Sequence, residues 1–467
     1  MKRLVTTLGA TLAALAVSAG TAFAADPVQS STQSSNIGQG AIAASSATQI
    51  QPSNSNISVR VLSPGNDGNV TQSNDATSSA NASNTANTTQ SSTQSSMGCS
   101  CVVKSGKIDG VLGTAMQAAA PQGATGQSNT AGSNGTSSNT APTTQSSTQA
   151  APSGGGSGVQ ASTQDANTGQ LAGAASSATQ IAPSNSNISV RVLSPGNDGN
   201  VTQSNTAKSS ADASNDADTT QNSSQDASGS GGVQFATQDA TTLQGALAES
   251  SAKQIHPENS STSVRVGSFG NGGSVKQSNT ADSSADASND ADVSQDGSQA
   301  QSGSGIQALG QDSSVFQLGF AASSAAQLPG RSECGCGGSF GNSNDPVRIY
   351  SFGNDGSVKQ DNTASSSADA SNSADVDQSA EQEQDSPSCG CHGLGIQALG
   401  QESNVGQLAK ALSSSFQLGA KNSNGPVRVW SPNLGGAGST SQSNASTSDS
   451  DGSNDADVSQ TGRMFMV

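Results

Sequence analysis

The sequence predicts an all-β fold: a β-solenoid-like stack of strand-turn-strand coils, built from five imperfect Gln/Asn/Ala/Ser-rich repeats with disordered linkers. Three observations carry that expectation. Glutamines recur on a fixed ruler five times over. Within each copy, small and amide residues alternate with acidic and hydroxyl ones at the strand period of two. Finally, the 467 residues are only 31% hydrophobic and 2% aromatic, too few for a conventional oily core. Composition alone would argue for disorder, because little apolar surface is available to offset chain entropy. The ordered spacing argues for a stack instead.

The elements follow in chain order. Residues 1–24 read as a signal peptide: Lys2 and Arg3 precede an apolar run from Leu4 to Val17, then a small-x-small site at Ala22, Phe23 and Ala24. Cleavage there leaves 15 basic against 34 acidic residues, a balance of −19. Such a surface should repel nucleic acid and anionic lipid, and divalent cations are partners it would collect. No second apolar stretch is long enough to span a bilayer, so a secreted, extracellular or cell-surface location is expected.

Each copy opens with a glutamine word. Its spacing of 4, 6 and 10 residues is set by Gln29, Gln33, Gln39 and Gln49, and returns from Gln160, Gln234, Gln307 and Gln397. A V-R-V or V-R-I word follows, holding Arg60, Arg191, Arg265, Arg348 or Arg428. A last segment runs 18 residues between glutamines: Gln72 to Gln90, Gln203 to Gln221, Gln277 to Gln295, Gln360 to Gln378 and Gln442 to Gln460. Disorder tolerates insertion and deletion; a constant ruler does not fit it. The repeats span 28–94, 159–225, 233–299, 306–382 and 396–460, with 461–467 as a tail. The Gly/Ser/Thr-rich stretch 95–158, which contains the first cysteine pair, reads as a flexible linker.

Parity assigns the faces. In the opening word Gln170, Ala172, Ala174, Ser176, Ala178 and Gln180 share one side. The middle word reads as strand, tight turn, strand, with Pro195 to Gly199 turning and the arginine pointing to solvent among the carboxylates. In the last segment Asp216 and Asp218 face outward. The inward face is expected to form amide ladders from Gln72, Asn84, Gln90, Gln203, Asn205, Asn215, Gln221, Gln277, Asn289, Gln295, Gln360, Asn372, Gln378, Gln442, Asn454 and Gln460. A straight strand across residues 201–221 would measure ~65 Å, so each copy is expected to bend into about three coils, on the order of 15 rungs in all.

With strand-turn-strand units, spaced Gln, Asn and Gly and an export signal assembled, the chain resembles the curlin repeats of secreted bacterial functional-amyloid subunits. The word STSVRVGSFGNGGSVKQSN, residues 261–279, carries the likeness. Ser268 stands where that family has its first Gln, and Gln277 follows Gly270 by only seven residues. The resemblance implies a self-associating fibre.

Chemistry beyond architecture is sparse. The six cysteines form three C-x-C pairs, Cys99/Cys101, Cys334/Cys336 and Cys389/Cys391, outside the glutamine ruler. An even count in an exported chain favours disulfides over free thiols, and a metal site at Cys389, Cys391 and His392 lacks an evident fourth ligand. His256 and His392 are the only histidines, and neither sits in a defensible nucleophile-base-acid spacing, so no enzyme and no cofactor is expected. The expected role is a secreted, non-enzymatic structural protein: a subunit of an extracellular fibre, coat or biofilm matrix. Its partners would be further copies of itself and other matrix components. The alternatives are a monomeric solenoid adhesin or binding surface for Ca²⁺, ice or a cell surface, and a disordered surface spacer.

Overall fold

In the computed structural model the parity of the sequence becomes uninterrupted strand. Residues 28–65, 70–95, 125–150, 158–227, 232–329, 340–385, 395–430 and 438–466 are described. Copy 1 gives β1 (Val28–Ile50), β2 (Ser53–Val61), β3 (Thr71–Thr85) and β4 (Thr88–Ser95); β5 (Thr125–Ala150) follows. Copy 2 gives β6 (Val159–Ile181), β7 (Ser184–Val192) and β8 (Val201–Ala227), and copy 3 gives β9 (Val233–Ile255), β10 (Glu258–Val266) and β11 (Val275–Ser302). Copy 4 gives β12 (Ile306–Leu328), β13 (Phe340–Asn344), β14 (Val347–Ile349) and β15 (Val358–Asp385). Copy 5 gives β16 (Ile396–Gln417), β17 (Ala420–Asn424), β18 (Val427–Val429) and β19 (Thr440–Met466).

Among the described residues every pairing is parallel, and apart from those of β5 each joins equivalent words of different copies. The opening words form sheet A, in the order β1-β6-β9-β12-β16. The arginine words form sheet B, from β2 through β7 and β10 to β13/β14 and β17/β18. The last segments form sheet C, β19-β15-β11-β8-β5-β3, with β4 also on β5. The register is residue on equivalent residue, Gln29 on Gln160 and Gln203 on Gln277. The stack is therefore a β-solenoid in which one copy makes one coil. The expectation of about three coils per copy is corrected: segments of up to 28 residues stay continuous because each is paired along its length on both sides. The middle word likewise forms no hairpin, since β7 and β8 pair with their counterparts in neighbouring copies and not with each other.

Residues 95–158 hold a second correction. Where a flexible linker was expected, Thr125–Ala150 forms β5 and inserts between β3/β4 and β8. Its Gln127 and Gln145 repeat the 18-residue step and lie in register with Gln203 and Gln221. Among the described residues sheet C thus has six rungs against five in sheet A.

Sheets A and C face each other and nest in half-steps. Gln238 on β9 donates to the carbonyls of both Gln221 on β8 (2.8 Å) and Asp296 on β11 (3.0 Å), and Gln311 on β12 bridges β11 and β15 in the same way. Each sheet A strand consequently sits in the groove between two sheet C strands. Such close approach needs small side chains. Ala172 and Ala174 meet Ala211, Ala213 and their counterparts in one cluster, and Ala178 meets Ala207 and Ala131 in another. Ser45 bonds to Ser78 and Ser133 on the two sheet C strands flanking it, and toward copy 5 an unbroken hydroxyl zigzag runs through Ser250, Ser283, Ser323, Ser366 and Ser413. The core is methyls, hydroxyls and amides, which is why scarce Leu and Phe are no obstacle.

Two corners turn the coil. The first follows sheet A at Gln51, Ala182 and His256, all with φ near +50°, and the second follows sheet B at Leu62, Leu193, Tyr350 and Trp430 in the same left-handed region. Three residues beyond the second corner stands a glycine, Gly65, Gly196, Gly270 or Gly353, with φ between +123° and +138°. A Cβ on Gly196 or Gly270 would be driven into the carbonyl oxygen of the coil beneath, so only glycine fits there.

Candidate functional site

The recurring chemical feature is a set of amide ladders along the stack. Gln203 is fully buried; its Nε2 donates to Gln127 Oε1 at 2.8 Å and to the Ser260 carbonyl at 2.9 Å. Because a backbone carbonyl only accepts, the second bond fixes which amide atom is the nitrogen. The ladder runs from Gln442 through Gln360, Gln277, Gln203 and Gln127 to Gln72, each donating toward copy 1. The column of Gln460, Gln378, Gln295, Gln221, Gln145 and Gln90 runs the same way. Asparagines run oppositely: Asn84 donates to Asn139, Asn139 to Asn215, Asn215 to Asn289, Asn289 to Asn372 and Asn372 to Asn454, over 2.7–3.0 Å. Asn205 donates to Asn279, likewise toward copy 5. All sixteen ladder residues named from the sequence occupy inward positions on sheet C. Ten of them, in copies 2 to 4, are buried, while those in copies 1 and 5 lie on the terminal rungs.

The terminal rungs keep open valences. Among the described residues nothing donates to the Oε1 of Gln442 or Gln460, and the Nδ2 of Asn454 has no acceptor. At the other end, Gln72 and Gln90 donate one N–H each, to the carbonyls of Ser55 and Ser34. Among the described residues one N–H of each is left over.

Sheet B's inward side overturns a sequence expectation. The arginines do not point to solvent: Arg191, Arg265 and Arg348 are at most 2% exposed. They stack in register with Arg60 and Arg428. Asp198 serves two of them, Arg191 at 2.8 Å and Arg265 at 2.9 Å, and Asp355 serves Arg348 and Arg428, both at 2.7 Å. Copy 3 has Gly272 where copy 2 has Asp198, so Arg265 reaches back to its neighbour's carboxylate. Carbonyls complete the guanidinium valences, among them Gly65 for Arg191 and Gly196 for Arg265. Burial, set against hydrogen bonding to Asp355, lowers the Arg348 pKa from its ordinary value, and the neighbouring guanidiniums add to the shift. A cavity of about 300 Å³ lies in this corner, lined by Asn187, Ser189, Asp198, Ser263, Arg348 and Asp355. The signal was legible: Asn185, Asn187, Ser189 and Arg191 share one parity, and the first three are inward residue types. Applied consistently, parity would have placed the arginine inside.

Sheet C's outer face carries carboxylates in columns. Asp212, Asp286, Asp369 and Asp451 are in register, as are Asp218, Asp292, Asp375 and Asp457; Asp216 pairs with Asp290. Burial first, and then neighbouring carboxylates, raises Asp216, Asp286, Asp292 and Asp375 above the ordinary 3.8; burial alone raises Asp212. No group of three or more His, Cys, Asp or Glu among the described residues is placed to hold a metal ion.

The disulfide candidates Cys99, Cys101, Cys334, Cys336, Cys389 and Cys391 all lie outside the described residues, as do His392 and the expected signal peptide over 1–24. No helix among the described residues is long and apolar enough to cross a membrane. Comparison with protein families, curated proteins and solved structures finds no match to the chain.

Proposed function

We propose that the protein is a secreted, non-enzymatic structural subunit of an extracellular fibre, coat or biofilm matrix, and that it associates through its terminal rungs. The observation that carries this reading is the complementarity of the two edges of sheet C. Gln442 and Gln460 offer acceptors 18 residues apart; Gln72 and Gln90 offer donors at the same interval. Asn454 and Asn84 match with the opposite polarity. A second molecule can therefore continue these three ladders in register, its β3/β4 edge on β19, along with the unpaired backbone groups of an open edge; the ladder from Gln94 to Gln382 is not continued, because Met464 takes its place on β19. Because sheet C has one rung more than sheet A among the described residues, such a joint leaves sheets A and B one strand short. The joint is weaker than an internal rung, and growth should be reversible and concentration-dependent.

The balance of −19 opposes approach until salt screens it, so association should be faster at about 150 mM than at about 10 mM salt. Sedimentation of the mature chain over a wide concentration range at both salts tests this. Mass that grows without a fixed end point supports the reading. A single monomeric species throughout would instead favour a monomeric binding solenoid.

A further inference from the structure

Carboxylates alternate with the arginines of sheet B, and in copies 2 to 5 the alternation fails once. Asp198 joins Arg191 to Arg265, and Asp355 joins Arg348 to Arg428. Between Arg265 and Arg348 the equivalent place belongs to Gly272. Four guanidiniums, three of them at most 2% exposed, thus share two carboxylates. A Cβ on Gly272 would lie 3.5 Å from Arg348 Nη2, so a side chain there would meet that guanidinium. Arg348 gives its Nε to Asp355, its Nη1 to the carbonyls of Gly270 and Phe352, and one N–H of Nη2 to the Asn354 carbonyl. Among the described residues the second N–H of Nη2 has no acceptor. Burial lowers the Arg348 pKa, Asp355 opposes the shift, and Arg265 and Arg428 on either side add to it.

Copy 3 is short of a second side chain in the same corner. Asn56, Asn187, Asn344 and Asn424 stand in register, with Ser261 in the middle place. Asn344 donates to Asn424, whereas Asn187 Nδ2 faces the rung of Ser261 and finds no amide. Asn187 and Ser261 are 7% and 3% exposed, yet among the described residues neither that Nδ2 nor the Ser261 hydroxyl has a partner. Gly272, Ser261, Asn187 and Arg348 all line the cavity of about 300 Å³. Two reductions in one copy therefore open it, and they leave N–H and O–H donors facing it beside an excess of positive charge. Asp198 and Asp355 line it as well, but each is already engaged by two arginines. The space far exceeds the roughly 10–15 Å³ that one water needs, and it reaches the exposed Asn200.

We infer that the corner over Gly272 binds a small free carboxylate, with acetate the nearest match, because acetate is the side chain of aspartate detached from its backbone. Bound there, it accepts from Arg348 Nη2 and stands between Arg265 and Arg348 as Asp198 stands between Arg191 and Arg265. The alternation of charge is then restored along the column. Two oxygens in one plane suit a guanidinium fork better than a spherical ion does. The site lies within one molecule and does not depend on association through the terminal rungs.

Carbon-13-labelled acetate, titrated with the full mature chain and followed by nuclear magnetic resonance, is the direct test, with sodium chloride at matched ionic strength as the control. The expected result is a saturable broadening of the acetate carboxylate signal and a urea midpoint that rises more with acetate than with chloride. Gly272→Asp supplies the carboxylate covalently, so it should raise the midpoint in acetate-free buffer and abolish the broadening. Gly272→Asn fills the same space without charge; it should abolish the broadening too, but leave the midpoint below that of Gly272→Asp. In both variants the new Cβ meets the Gly356 nitrogen at 3.1 Å, so the comparison isolates the charge. An absence of broadening with the unaltered chain would overturn the inference, as would broadening that survives in both variants. A midpoint raised equally by chloride would assign the effect to salt in general and overturn it as well.

Discussion

At the scale of single residues, inward amides and outward carboxylates differ by one position and by opposite physical demands. Asn215 is 2% exposed, donates to Asn289 Oδ1 and to the Gly245 carbonyl, and accepts from Asn139. Asn215→Asp keeps the shape but turns both donated bonds into oxygen-oxygen contacts in a water-free interior. The expected cost is about 2–4 kcal/mol, unless the carboxyl stays protonated. Asp216→Asn, one residue on, removes a charge that faces Asp290 and Asp218 and should be neutral or slightly stabilising. Urea denaturation of the two variants checks the pair, and equal effects would show the faces to be misassigned. The arginine column follows the same logic at higher stakes. A buried guanidinium is tolerated only because a carboxylate and several carbonyls converge on it, and Asp198 and Asp355 each discharge that duty for two copies.

At the scale of the element, length and straightness come from pairing partners. Strands of 23–28 residues exceed the usual five or six because each lies between equivalents with matching register. What limits a strand is its corner, and the turn beyond the second corner depends on glycine. Gly270→Ala is expected to cost at least about 2 kcal/mol, since its φ of +129° and the Gly196 carbonyl beneath both oppose a Cβ. Gly400→Ala, on the outward face of β16 with no atom near a new Cβ, should cost nothing measurable. Thermal unfolding of the two variants compares them directly.

At the scale of the whole molecule, the stack places like charges one rung apart, which ties stability to pH. Folding raises Asp212, Asp216, Asp286, Asp292 and Asp375 above 3.8, so the protonated form favours the folded state. The stabilisation from protonating them is complete below the ordinary value and is lost as pH rises through the raised one. These five carboxyls should therefore add stability on mild acidification toward pH 4. Denaturant midpoints across about pH 4–7 measure it, and a midpoint that falls with acidification would contradict the column geometry. Rungs pair residues 55–131 positions apart in sequence, so coil stacking depends on long-range contacts and folding should be slow.

The sequence by itself determined the class of fold, the copies and the inward face of sheet C, because parity and spacing are local. A residue's side of a strand depends only on its distance from its neighbours in the chain, and Gln203 and Asp216 declare theirs. Tertiary structure decided what depends on the partner strand. One coil per copy, the half-step nesting of sheets A and C, and the recruitment of Thr125–Ala150 as a sixth rung are properties of pairing between distant segments. So is the burial of Arg265, whose counter-charge lies 67 residues away on another copy. Within its own copy that arginine has no carboxylate at the matching position, and only the stack brings Asp198 beneath it.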